Sequence, residues 1–126
     1  MTFCACGSKQ EYLICCGRFI EQNILPETTE QLMRSRYTAY TQANIDYIQQ
    51  TQQGLAEKDF DAESVRRWAK RAKWLDLTIL DVATVDFVEF VARYCYAGKI
   101  EQIHDRSKFE KIDGRWYFVA SHQSNS

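Results

Sequence analysis

The apolar period of this chain changes once, between Ala72 and Trp74, and that change limits the folds open to it. Before it, apolar residues recur at helical spacing; after it, they alternate with polar ones. TTEQLMRSRYTAYTQA reads as a helix, with Thr28 and Gln31 spaced as a capping box. Leu32, Arg36, Ala39 and Ala43 form one row, and Met33, Tyr37, Tyr40 and Tyr47 the neighbouring stripe. Asn44 is expected to cap a second short helix, IDYIQQTQ, which Gly54 ends. A third helix runs through DAESVRRWAKRAK, capped by Asp61 or Ser64, with Val65, Trp68, Ala69 and Ala72 as its apolar stripe.

Four strands follow: LDLTILDV, VDFVEFVARYCY, IEQIHDRSKFEKI and RWYFVAS. AGK and Asp113-Gly114 are turn signals, and HQSNS reads as a frayed tail. Helices first and a strand meander afterwards imply an α+β fold, with helices covering one face of an antiparallel sheet. A two-residue turn at Ala97-Gly98 pairs Ala92 with Ile103, Phe90 with Asp105, Val88 with Ser107, Glu89 with Arg106 and Val91 with His104. Turning at Asp113-Gly114 pairs Phe109 with Phe118 and Lys111 with Trp116. One face then collects Val88, Phe90, Ala92, Ile103, Phe109, Trp116 and Phe118, unless a slip or bulge swaps the faces.

The 126 residues suffice for one domain with its own core. A formal net charge of -1 excludes a molecule that binds nucleic acid through overall basic charge. No apolar run approaches the roughly 20 residues that span a bilayer. MTFCACG has neither the basic nor the apolar region of a signal peptide, so the expected compartment is the cytosol, where thiols stay reduced.

Four of the five cysteines lie between Cys4 and Cys16, spaced C-x-C-x8-C-C. Cys4, Cys6, Cys15 and Cys16 match a closed tetrahedral structural zinc site, with Gly7 freeing the backbone to bring the first pair together. Lys9 and Arg18 are placed to offset part of the thiolate charge. The competing readings are a thiol redox site, since Cys15 and Cys16 are vicinal, and ordinary unligated cysteines. Cys95 reads as a small half-buried hydrophobe.

The pattern C-x-C-G-S-x3-Y-x2-C-C resembles the SEC-C motif, a small zinc-binding element found at the tail of the SecA translocase motor and elsewhere. Ala5 stands where that motif usually has proline, and Lys9-Gln10-Glu11 where it usually has Gly-Lys-Lys. PETTEQLMRSRYTAY, VEFVARY, the H-x2-S-x-F pattern at His104, Ser107 and Phe109, and DGRWYFV resemble the YchJ family of bacterial proteins. That resemblance implies an NTF2-like (cystatin-like) curved sheet around helices at residues 21–126, behind a SEC-C-like zinc element at residues 1–20. It implies no activity. Longer members carry a second cysteine motif towards the C-terminus, which is not found in this sequence.

NTF2-like sheets often enclose a pocket, and the candidates here are Arg36, Tyr37, His104 and Asp105. Asp105 falls on the apolar face, where a carboxylate is costly without a partner, and Arg34 or Arg36 is the expected one. His104 falls on the opposite face in the same register, and a catalytic role there would need a nearby carboxylate or nucleophile. Tyr37, Tyr40, Trp68, Trp74 and Trp116 either line a cavity or fill the core. The basic stretch at 66–73, with Trp68 inside it, is either a solvated helix face or a contact for RNA or ribosomal surfaces. No Ser/His/Asp or Cys/His constellation is present in the sequence. The expected function is a zinc-bearing protein-interaction or adaptor module, and the SEC-C resemblance implies ribosomes, export chaperones or other cytosolic proteins as its partners. The alternative is an enzyme or small-ligand receptor using the NTF2-like cavity.

Overall fold

The computed structural model describes residues 3–123. Five short α-helices precede four strands. They are α1 (Gly17–Ile20), α2 (Thr29–Thr41), α3 (Ile45–Gln50), α4 (Gly54–Lys58), α5 (Ala62–Arg71), β1 (Lys73–Asp81), β2 (Phe87–Tyr96), β3 (Lys99–Ile112) and β4 (Arg115–Gln123). Helices α2, α3 and α5 start where side chains can satisfy their first amides. Thr28 Oγ1 accepts from the Gln31 amide at 3.1 Å, and Gln31 Oε1 accepts in return from the Thr28 amide at 3.3 Å. Asn44 accepts from the Tyr47 amide to start α3. Asp61, not Ser64, caps α5.

Gly54 departs from expectation: it opens α4 instead of ending α3, at φ +64 and against Val119. The chain leaves α3 at Thr51 because residues 51–53 bond to β4. The Phe118 amide donates to Thr51 O at 2.9 Å, and the Gln53 amide donates to Phe118 O at 3.0 Å.

The sheet is antiparallel in the order β1-β2-β3-β4. Both predicted hairpin turns are present, and Ala97, Gly98, Asp113 and Gly114 all have positive φ, as a two-residue type I′ turn requires. These turns set the pairing, and every pair named above appears in it. One bulge interrupts β3 and β4. Lys108 pairs with Ala120 but Phe109 pairs with Phe118, so Val119 is the extra residue. The bulge shifts the parity of everything beyond it, placing Ser121 opposite Ser107. The expected frayed tail is thus partly wrong: His122 and Gln123 continue β4, pairing with Arg106 and Asp105 of the long strand β3. Residues 124–126 of that tail lie outside the described residues.

Val88, Phe90, Ala92 and Phe109 are buried on the inner face, with Ile103, Trp116 and Phe118 half-buried beside them. Leu32, Met33 and Tyr37 of α2 pack against this face, and the four N-terminal cysteines join the same core. A smaller cluster of Phe19, Ala39, Ile45, Tyr47 and Ile48 ties α1, α2 and α3 together. No helix among the described residues is long and apolar enough to cross a membrane.

Candidate metal centre and cavity

The cysteines converge from two turns. Cys4 donates its amide to Gln10 O at 2.7 Å, closing a loop in which Gly7 has φ +82. A 3-10 turn at Tyr12–Ile14 then delivers Cys15 and Cys16 to the start of α1. All four side chains are buried and carry free thiols. Their sulfurs lie within 4.8 Å of one another, and Cys6 and Cys15 Sγ are 3.6 Å apart. A tetrahedral thiolate centre with metal–sulfur bonds of about 2.3 Å has sulfur–sulfur edges of about 3.8 Å. The four sulfurs can therefore hold one metal ion with little rearrangement.

Their protonation fits that use. Hydrogen bonds from the Cys16 and Cys6 thiols hold Cys4 well below the usual thiol range. The bonds that Cys16 makes to Cys4 and Cys6 push its own thiol far up. Burial pushes Cys15 up as well. Four thiolates this close need a cation, and a bound metal would displace the remaining protons. Ser8 Oγ lies 3.1 Å from Cys15 Sγ, and Thr38 Oγ1 of α2 lies 3.7 Å from Cys4 Sγ. Arg18 donates through Nε to Cys15 O at 2.9 Å, while Lys9 is exposed. A second cation beside the cysteines is Arg34 of α2, which the sequence points towards Asp105 instead. It donates to Cys6 O at 2.7 Å and to Glu30 at 3.0 Å. Its helix is far from the cysteines in sequence, so no local spacing announces it.

Between α2, α5 and the inner face of the sheet lies a cavity of about 240 Å³. Tyr37, Tyr40, Trp68 and Trp74 supply an aromatic wall, and Arg36, Asp105, Ser107 and Ser121 supply polar groups. Trp68 meets Trp74, Tyr94 and Tyr40 edge-on at centroid distances of 5.1, 5.3 and 6.0 Å. Asp105 is only 3% exposed. It accepts from Ser107 Oγ at 2.5 Å and Ser121 Oγ at 2.7 Å.

Neither expected arginine pairs with Asp105. Arg34 is engaged with Glu30 and Cys6, as above. Arg36, 4% exposed, donates to Ile48 O, Thr51 Oγ1 and Gln52 Oε1 at 2.8, 2.7 and 3.1 Å, with its guanidinium over the Phe118 ring. His104 does not belong to the cavity. It lies on the outer face, where Nε2 is 2.7 Å from Glu89 Oε2. Trp116 packs against the core without lining the cavity, and Lys111 lies over its ring. The basic stretch is also divided. Arg67, Lys70, Arg71 and Lys73 are exposed and Arg66 pairs with Glu63, but Trp68 turns inward to the aromatic wall.

Residues 28–121 match the family model for the middle NTF2-like domain of YchJ. The chain belongs to the YchJ family. Among YchJ-family relatives, it is 40% identical over 124 residues to a UPF0225 protein of Geobacter sulfurreducens, covering 94% of this chain and 77% of that protein. It is 35% identical to the UPF0225 protein YchJ of Shigella dysenteriae, covering 92% and 80%. The solution structure of a SEC-C motif containing protein from Rhodopseudomonas palustris superposes with a TM-score of 0.86 at 35% identity, covering 97% of this chain and 98% of that one. A SEC-C motif containing protein from Psychrobacter arcticus shares the fold, with a TM-score of 0.73 at 24% identity over 98% of this chain and 83% of that one. This YchJ-family chain thus combines an NTF2-like α+β body with an N-terminal cysteine cluster.

Proposed function

We propose that this YchJ-family protein is a zinc-bearing, cytosolic protein-interaction module. Residues 1–20 are the zinc element, residues 21–126 the NTF2-like body, and Cys4, Cys6, Cys15 and Cys16 the ligands. Four buried thiolates suit zinc, and their number leaves no open coordination position. The metal's role in this reading is to hold a surface. The observation that carries it is what the element displays: Phe3 is 65% exposed, Leu13 56% and Ile14 60%. Ile24 and Leu25, just beyond it, are exposed too. An element of this size that turns large apolar side chains outward while burying cysteines is built to meet another protein. Purified protein should carry one zinc per chain, lost in Cys15→Ser. Crosslinked partners from extract should be lost in a folded, zinc-loaded Leu13→Asp, Ile14→Asp double variant. An unchanged partner set in that variant would exclude this surface, and loss only on neutralising Arg67, Lys70 and Arg71 would favour RNA or the ribosome.

The cavity favours a second reading, in which the body is a small-ligand receptor. Tyr37 and Phe90 line the space without filling it, and a buried carboxylate faces into it.

A further inference from the structure

We infer that the cavity is a site for a small organic cation: a protonated amine bound to Asp105, with an apolar body against the aromatic wall. This rests on the receptor reading of the body and adds the ligand's chemical class.

The carboxylate comes first. Asp105 is almost wholly buried, and no cationic side chain among the described residues forms an ion pair with it. A carboxylate offers about four lone-pair positions, and the Ser107 and Ser121 hydroxyls occupy two. The rest face a cavity, not packed protein. The bulge at Val119 brings this group together, because it sets Ser121 on the same face as Asp105.

Arg36 lines the same space, and its charge would oppose a cationic guest. The guanidinium is held by acceptors other than Asp105. Three oxygen acceptors take three of its five N–H groups, and one of them, Gln52, passes a hydrogen bond on to Glu57 at 3.0 Å. Phe118 covers its face. Asp105 keeps acceptor positions open to the same space, so a guest's ammonium can meet the carboxylate while the guanidinium is held by its own acceptors.

The opposite wall suits a cation as well. Two tryptophans and two tyrosines line one volume, and a cation held over the face of such a ring is attracted to its π-electrons. The volume sets the size. About 240 Å³ is the share of roughly eight waters and falls below the 300–1,000 Å³ of drug-sized sites. An arylalkyl amine with a single ring is the scale of guest that fits.

The test uses the full zinc-loaded chain and three probes of matched shape: phenethylammonium, 2-phenylethanol and 3-phenylpropionate. Binding is read by calorimetry and by the indole N–H resonances of Trp68 and Trp74. The amine should bind saturably and shift both resonances, at least about tenfold more tightly than the alcohol, with the acid not binding. Asp105→Asn should remove that preference, and Trp68→Leu should weaken the amine several-fold. The charge series needs only the wild-type protein, so it decides even if Asp105→Asn fails to fold. Equal or tighter binding of the alcohol or acid would overturn the cation assignment and leave the receptor reading standing. Absence of binding by all three probes would overturn both. Amine binding unaffected in a folded Asp105→Asn variant would overturn the role of the carboxylate.

Discussion

Arg36 is a buried charge used for structure. Its three acceptors come from α3 and from the segment after it that hydrogen-bonds to β4, so one guanidinium joins the helical layer to the sheet edge. Arg36→Met should cost about 2–4 kcal/mol in urea unfolding, because it strands buried acceptors. Arg36→Lys should recover less than half of that loss, since a single ammonium cannot reproduce a planar fork. Buried tyrosines give a second expectation. Desolvation pushes Tyr37 and Tyr47 up to about 12 from an ordinary value of 10.0. Both are neutral in folded and unfolded chains below pH 10. Above it the unfolded chain ionises first, so stability is lost between about pH 10 and 12, on the order of 4 kcal/mol for the pair. Alkaline titration of tyrosinate absorbance against unfolding free energy checks this, and Tyr47→Phe should shrink the loss. Asp105 was legible as a carboxylate on the apolar face. Its partners were not, because Ser121 reaches it only through a bulge that no turn residue marks.

At the scale of elements, legibility follows how local the cause is. The Thr28–Gln31 capping box and the Ala97-Gly98 and Asp113-Gly114 turns are written in adjacent residues, so α2, the register of β2 with β3, and that of β3 with β4 as far as the bulge are legible directly. Gly54 was misplaced because its role depends on β4, more than sixty residues away. The aromatic wall draws on α2, α5 and β1, and a cavity is a volume that periodicity does not report. The short helix α1 depends on a close approach. A Cβ on Gly17 would lie 2.8 Å from Tyr12 O, a backbone atom that cannot swing away. Gly17→Ala should therefore push the 3-10 turn off α1 and misalign Cys15 and Cys16. Metal affinity measured by competition with a chromogenic chelator should fall at least about tenfold, whereas Thr28→Ala should cost about 1 kcal/mol of stability and leave that affinity unchanged.

At the scale of the whole molecule, the question is whether the metal element can come loose alone. Its sequence is compact and self-contained, which suggests a knuckle hung on an independent body. Its side chains are not arranged that way. Cys4, Cys6, Cys15 and Cys16 share one buried cluster with Leu32, Met33 and Tyr37 of α2, Leu77 of β1 and Val88 and Phe90 of β2. Arg34 reaches from α2 to Cys6 O, and Thr38 from the same helix lies beside the Cys4 sulfur. Stripping the metal would leave four crowded thiols inside that shared core, with no cation to order them. Chelation should then lower the melting temperature of the whole chain in one cooperative transition. Amide exchange should rise along α2 and β1 as well as in residues 3–20. Two separate transitions, with α2 protection unchanged, would instead mark the element as a detachable unit. The first outcome would mean that metal loss also disturbs Tyr37, which lines the cavity from the same helix. Zinc content and amine binding would then fall together, although no cysteine touches the guest.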